Sequence, residues 1–337
     1  MDGCDQPSAI MPIRLEPVRG ADQAGSVFAP PDRARLLHNS LTRGAEIRHK
    51  QAEALAGIPE HPMPARIPSL PAELDFASIR QTLLDAAAAA AAETLPRFRT
   101  PLAVENKWAS GFDPVTEADK GAESAIRALI GERFADHAII GEEWGRSGDG
   151  RFAWIIDPVD GTRAFISGVP VWGTLIGFAV DGRPVAGVMS QPFTGETFIG
   201  IPGGAEYRRG GDVLALRTSG RTELATARLS TTTPSLFRGP GQRLAYDALE
   251  RNCLQVRYGL DCYAYCLLAA GHLDLVVEVG LQVYDIAALI PIIEEAGGAI
   301  TAWDGGRPDG GGDVVAAATP ELLEAALAVL AAAPGSQ

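Results

Sequence analysis

Apolar positions recur regularly from about residue 75 onward, and that regularity defines the folded part of the chain. Asp75 stands where a helix N-cap is expected, and Ile79, Leu83 and Leu84 then fall on one face. Thr116 is a second cap, followed by a stripe of Ala122, Ile126, Leu129, Ile130 and Phe134. Short apolar runs at 138–140 and 153–156 predict buried strands. Gly173–Val180 and Pro184–Ser190 flank Asp181-Gly182, a strong hairpin signal, and Phe198–Ile201 and Asp212–Leu216 extend that sheet. Beyond residue 226 the pattern alternates. Strands are expected at 227–231, 255–258, 273–279, 298–302 and 313–317, with helices at 241–251, 261–271, 284–297 and 319–332. Two helices on an antiparallel sheet, followed by alternating elements, predict an α+β fold layered α-β-α-β. Its two halves are 73–225 and 226–337. Residues 1–72 carry scattered prolines and no sustained period and read as a flexible extension, and Met63 offers an alternative start.

Composition narrows the class of partner. The 337 residues hold 29 basic and 42 acidic side chains, a formal charge of −13. Such acidity argues against a nucleic-acid or anionic-membrane surface, and a phosphate-bearing ligand would need local cations. No run approaches the roughly 18 apolar residues of a membrane span, and no secretory signal is visible. Cys4, Cys253, Cys262 and Cys266 show no C-x-x-C spacing, and a reduced cytoplasmic protein is expected.

Candidate chemistry gathers at element ends. Trp154-Ile155-Ile156-Asp157-Pro158-Val159-Asp160-Gly161-Thr162 reads as a buried strand ending in a tight turn that bears two carboxylates. Oxygen donors suit Mg²⁺, and the amides of Gly161 and Thr162 suit an anion at a helix start. Asp113, Glu142 and Asp285 also sit at strand or helix ends, although Asp285 alone would be an ordinary N-cap. His137 and His272 lie away from these motifs and read as structural. With no serine elbow or nucleophilic cysteine in view, in-line attack by water is favoured over a covalent phosphoenzyme.

Together these segments resemble the inositol monophosphatase family of lithium-sensitive, Mg²⁺-dependent phosphomonoesterases. The matching pieces are Asp113-Pro114-Val115-Thr116-Glu117-Ala118-Asp119, Gly141-Glu142-Glu143, Asp157–Thr162, Tyr284-Asp285-Ile286-Ala287-Ala288 and Glu294-Glu295-Ala296-Gly297-Gly298, in that order over about 75–333. The resemblance implies the layered sandwich of the inositol monophosphatase and fructose-bisphosphatase type. It implies that Glu142, Asp157 and the Val159 carbonyl hold a first Mg²⁺, that Asp157, Asp160 and Asp285 hold a second, and that Glu142 helps hold a third. Asp113 and Thr162 would orient and deprotonate the attacking water, and the Gly161 and Thr162 amides would hold phosphate. Asp119 is left as a first-turn helix acid and Glu143 as a supporting residue. Tyr284 replaces the family's usual tryptophan and Val159 its isoleucine, without disturbing metal binding. A homodimer is also implied.

For the substrate, Gly168–Ile176, Tyr258–Tyr265 and Tyr284–Leu289 look like the histidinol-phosphate phosphatase branch of this family. Glu278 or Asp261 would pair with the substrate amine, and Arg163 would assist the phosphate or a neighbouring subunit. The alternatives are an inositol-1-monophosphatase, a broad sugar or nucleotide phosphatase, or a non-catalytic metal- or phosphate-binding regulator on the same fold.

Overall fold

A computed structural model describes residues 70–71, 74–101, 104–106 and 114–332. The chain divides into the units Met1–Glu53 and Ala54–Gln337, and every described residue belongs to the second. Nearly all of the expected extension over 1–72, with Met63, lies outside the described residues.

The expected first helix is α1 (Phe76–Thr94), capped by Asp75, whose Oδ1 accepts from the Ala77 amide at 3.0 Å. A short antiparallel pair, β1 (Val104–Asn106) and β2 (Pro114–Thr116), leads into α2 (Glu117–Arg133). Next come β3 (Ala138–Gly141), β4 (Gly145–Ser147), β5 (Phe152–Asp160), the short α3 (Thr162–Ile166), β6 (Gly173–Val180), β7 (Arg183–Gln191), β8 (Glu196–Ile201), β9 (Gly204–Arg209) and β10 (Asp212–Ala215). The strands form an eight-stranded sheet in the order β10-β9-β8-β7-β6-β5-β3-β4, with β3 and β5 parallel. Then follow β11 (Arg228–Thr231), α4 (Gln242–Asn252), β12 (Gln255–Tyr258), α5 (Tyr263–Ala269), β13 (Leu275–Leu281), α6 (Val283–Ile286), α7 (Leu289–Glu295), β14 (Ala299–Ala302), β15 (Gly312–Ala317) and α8 (Pro320–Ala331). This second sheet has the order β12-β11-β13-β15-β14.

Apolar side chains explain the stacking. On one face of the first sheet, Ile156, Ile176, Phe178 and Val188 pack against Ile79, Leu83, Ala122 and Ile126 of α1 and α2. Leu175, Met189 and Phe198 point the other way, onto α5 and α7, which also cover Val276, Val314 and Ala316 of the second sheet. Strands buried on both faces read as continuous apolar runs, which is why β6 and β7 show little alternation. The outer face of the second sheet packs Leu229, Leu275 and Val315 against α4 and α8. The expected α-β-α-β layers are therefore present in order, with α4 and α8 adding a fifth. No helix among the described residues is long and apolar enough to cross a membrane.

Three differences from the sequence reading have clear causes. β9 was not expected, because Gly204–Arg209 is polar and buries only Ala205. The helix expected over 284–297 is broken into α6 and α7. Pro291 accounts for the break, since in a continuous helix its ring would collide with the Ala287 carbonyl four residues earlier. The third difference lies at the site. The strand does not stop before Asp157 but runs to Asp160 through a bulge that accommodates Pro158.

A row of glycines seats the α6–α7 segment. Gly177, Gly187 and Gly200 are register partners across β6, β7 and β8. A Cβ on Gly187 would overlap the Ala288 carbonyl, and one on Gly200 would lie 2.5 Å from the Pro291 carbonyl. The bare strand surface lets residues 287–292 lie directly on the sheet, which fixes Asp285 just upstream.

Candidate active site

The bulge decides where the two acids point. Along a regular strand, residues three apart face opposite sides. Here Asp157 pairs with Leu175 and Asp160 with Gly173, so three steps on β5 match two on β6. The extra residue resets the alternation, and both carboxylates reach one side. Asp157, Asp160 and Asp285 each offer an oxygen, all within 4.8 Å of one another.

Each acid is aimed by a backbone amide. Asp157 Oδ1 accepts from Val159 N at 3.0 Å, Asp160 Oδ2 from Cys262 N at 2.9 Å, and Asp285 Oδ2 from Gln282 N at 2.7 Å. Glu142 follows β3, whose last residue pairs with Ile156, and its side chain hydrogen-bonds Asp157. Burial pushes the Asp157 carboxyl well above its ordinary range, and Glu142, Asp160 and Asp285 push it further. Asp160 is raised in the same way, by burial first and then by Asp285 and Asp261. Carboxylates that raise one another this way make a site whose charge a cation relieves. An all-oxygen donor set of this kind suits a hard divalent ion.

Gly161 turns the chain out of the bulge at φ 80°, where a side chain is strained, and a Cβ there would sit 3.2 Å from Asp261 and from the Trp172 Cα. Thr162 opens α3, and its hydroxyl donates to the Val159 carbonyl at 3.1 Å. Asp113 lies outside the described residues. Among the described residues, Asp119 approaches Thr162, with its Oδ1 3.5 Å from the Thr162 hydroxyl. Asp119 is also the first-turn acid expected of it. Its Oδ2 closes a capping box with Thr116, accepting from the amide at 2.9 Å and from the hydroxyl at 2.6 Å. It is 1% exposed, and burial raises its carboxyl to about 6, with Thr116 opposing and Glu142 adding to the rise. The sequence held one clue to this second duty: Asp119 lies between Ala118 and Ala122, on the face α2 buries.

Glu278 and Asp261 form a second acidic corner. Glu278 is buried on β13, just before a bulge opposite β15, and its Oε1 accepts from Thr232 N at 2.5 Å. Asp261 hydrogen-bonds the Thr232 side chain and adopts a left-handed backbone, φ 46°. Burial raises Glu278 to about 7, with Thr232 opposing and Asp261 adding, and burial raises Asp261 while Arg163 opposes. Arg163 itself is exposed. His137 is structural, as expected: it packs among Phe134, Phe152 and Phe178 and accepts from Trp154 Nε1 at 3.1 Å.

Clustered acids at the ends of buried strands, on a layered frame of sheets and helices, are the equipment of a cation-dependent phosphate-ester hydrolase. The chain belongs to the inositol monophosphatase family, whose pattern matches residues 75–334. Members of that family are metal-dependent phosphatases acting on small phosphate monoesters. The chain is 40% identical over 240 residues to an Arabidopsis thaliana protein named bifunctional phosphatase IMPL2, chloroplastic, covering 70% of this chain and 66% of that one. It is 38% identical over 207 residues to a histidinol-phosphatase of Mycobacterium tuberculosis, covering 60% and 79%. A solved structure of an inositol monophosphatase from Zymomonas mobilis superposes with a TM-score of 0.68 at 38% identity, covering 77% of this chain and 99% of that one.

Proposed function

We propose that the chain hydrolyses histidinol phosphate to histidinol and inorganic phosphate with Mg²⁺, a step of histidine biosynthesis. The observation that carries this reading is the acidic corner of Asp261 and Glu278, joined through Thr232 and abutting Gly161. Acids this close to a phosphate seat repel a substrate whose only charge is negative. A primary amine beside the phosphate meets them with opposite charge, and such a pair strengthens as water leaves it. The likeness to a histidinol-phosphatase points the same way.

In this reading Glu142, Asp157 and the Val159 carbonyl hold one Mg²⁺, Asp157, Asp160 and Asp285 hold a second, and Glu142 helps hold a third. Held by these residues, the cations would neutralise the phosphate, lower the pKa of the attacking water and stabilise the leaving oxygen. The Gly161 and Thr162 amides bind phosphate oxygens. Thr162 and Asp119 orient the water, and Asp119 takes its proton; the expected role of Asp113 falls on a residue outside the described ones. Water attacks phosphorus, the ester P–O bond breaks, and the leaving oxygen takes a proton from solvent to give histidinol. Cys262, the cysteine beside Asp160, is buried and burial holds its thiol protonated, which disfavours a cysteinyl intermediate.

The likeness to an inositol monophosphatase favours a second reading, in which the substrate is inositol 1-phosphate or a broader set of sugar and nucleotide phosphates. A panel of histidinol phosphate, inositol 1-phosphate and adenosine 3′,5′-bisphosphate separates the two. A charge-assisted contact contributes about 1.5–3 kcal/mol, so kcat/KM for histidinol phosphate is expected to lead by about 10- to 100-fold. A lead for inositol 1-phosphate would defeat the first reading.

A further inference from the structure

Glu123 is a fully buried carboxylate that no step of the reaction uses. It lies one turn beyond Asp119 on α2, and its side chain is 0% exposed. Its two oxygens face the backbone of the turn that carries Glu142. Oε2 accepts from Glu143 N at 2.7 Å, and Oε1 accepts from Trp144 N at 3.2 Å. Oε1 also accepts from Arg127 Nε at 2.7 Å. Arg127, one further turn along α2, reaches the other end of the same turn, donating to the Gly145 carbonyl and to Ser147 Oγ at 3.0 Å.

Gly141 makes the arrangement possible. A Cβ at that position would overlap the Glu123 carboxylate, so the bare glycine lets the acid slide beneath the turn. Those contacts add to the strand bond from Glu142 N to the Ile156 carbonyl, 3.1 Å, and to the bond from Trp144 Nε1 to the Lys120 carbonyl, 3.5 Å, on a turn that leads into β4 at an exposed edge. Asp119, Glu123 and Arg127 thus form a stripe at i, i+4 and i+8 along α2. One end meets Thr162 and the other grips the turn.

We propose that Glu123 is a positioning residue, which holds the Gly141–Gly145 turn so that Glu142 is delivered to the cation site in its binding geometry, with Arg127 as the brace. This rests on the reading of Glu142 as a metal ligand. Glu123 acts through backbone amides and touches neither cation nor substrate. The replacement Glu123→Gln is isosteric but cannot accept from both amides, because its NH₂ group would face an N–H.

Calorimetric titration of the metal-stripped protein with Mg²⁺ tests this, run on the native chain, Glu123→Gln, Arg127→Met and Glu142→Gln. Removing a partner that orients a metal ligand weakens metal binding by about 10- to 100-fold. Glu123→Gln is therefore expected to weaken Mg²⁺ binding by about tenfold or more, and to raise the Mg²⁺ needed for half-maximal turnover equally. At saturating Mg²⁺ its kcat should recover to within about threefold, since the residue is absent from the reaction itself. A merely structural role would lower kcat at every Mg²⁺ concentration and leave the metal affinity alone, and that result overturns the proposal. Arg127→Met, which keeps the buried acid, should weaken Mg²⁺ binding less but in the same direction, and it decides the matter if Glu123→Gln does not fold. Unchanged affinity in Arg127→Met would then count as refutation. If Glu142→Gln also binds Mg²⁺ normally, the reading of Glu142 as a ligand fails. If only Glu142→Gln is impaired, the positioning role alone fails.

Discussion

Asp157→Asn is expected to abolish phosphate release almost completely while making the metal-free protein more stable. Asp157 is the one carboxylate assigned to both principal cations, so its loss removes several kcal/mol of transition-state stabilisation. At about 1.4 kcal/mol per decade, kcat should fall by about 10³-fold or more. The stability effect has the opposite sign and comes from the same geometry. In the metal-free protein the buried Asp157 carboxyl is raised above 3.8 by burial and by Glu142, Asp160 and Asp285. A carboxyl raised on folding contributes stability that is present below its unfolded value and lost as pH rises through its folded value. At pH 7.5 the neutral asparagine relieves that repulsion, and each kcal/mol recovered raises Tm by about 2–4 °C. The advantage should shrink as pH falls toward the unfolded value of 3.8, below which burying the carboxyl no longer carries that penalty. Adding Mg²⁺ should raise Tm of the native chain through mass action and leave that of the variant nearly still. Thermal melts at two pH values, with and without Mg²⁺, check all of this. A variant that keeps native turnover would refute the ligand assignment.

The second large effect is expected at Asp119. As an acceptor for the proton passed from water, it must be ionised, and its carboxyl titrates near 6 in the metal-free protein. Below that pH the protonated acid no longer accepts, so kcat/KM should fall tenfold per pH unit on the acid side. Bound cations neutralise Glu142, which helps raise Asp119, so the limb should lie at or somewhat below 6. General base catalysis contributes about 10²- to 10⁴-fold, and Asp119→Asn should lose at least the lower figure and flatten the acid limb. Asparagine can still accept from Thr116, so the helix cap survives and the loss is chemical rather than structural. Thr162→Val should show a comparable fall, and the double variant should fall little beyond the worse single one, as residues acting in one relay do. A pH–rate profile for Asp119→Asn with an unchanged acid limb would assign that limb elsewhere.

How far these features can be read from sequence depends on how local their causes are. Asp75 and Thr116 cap their helices through bonds spanning two or three residues, and Asp181-Gly182 turns its hairpin through adjacent backbone angles. Such signals survive in a single sequence. The bulge in β5 is less legible: Asp157-Pro158-Val159-Asp160 reads equally well as a turn until β6 is laid beside it. Asp119 shows the same limit more sharply. Its capping partner is three residues away and visible, whereas Thr162 lies 43 positions downstream and arrives only through the packing of α2 on β5. Glu123 showed in sequence only as an acid four residues before Arg127 on an apolar face, because its grip on the turn is through the Glu143 and Trp144 amides, which no side-chain pattern records. The break at Pro291 was readable in principle, although the apolar run around it masked the proline's effect.

In the proposed reaction the acidic cluster at the end of β5 works by holding divalent cations while histidinol phosphate is hydrolysed. Phosphate release from histidinol phosphate by chelator-treated full-length protein, with Mg²⁺ titrated back, tests it most directly. No release above background is expected in chelator, with a saturable recovery as Mg²⁺ is added. Undiminished release in the presence of chelator, or none at any Mg²⁺ concentration, would contradict it.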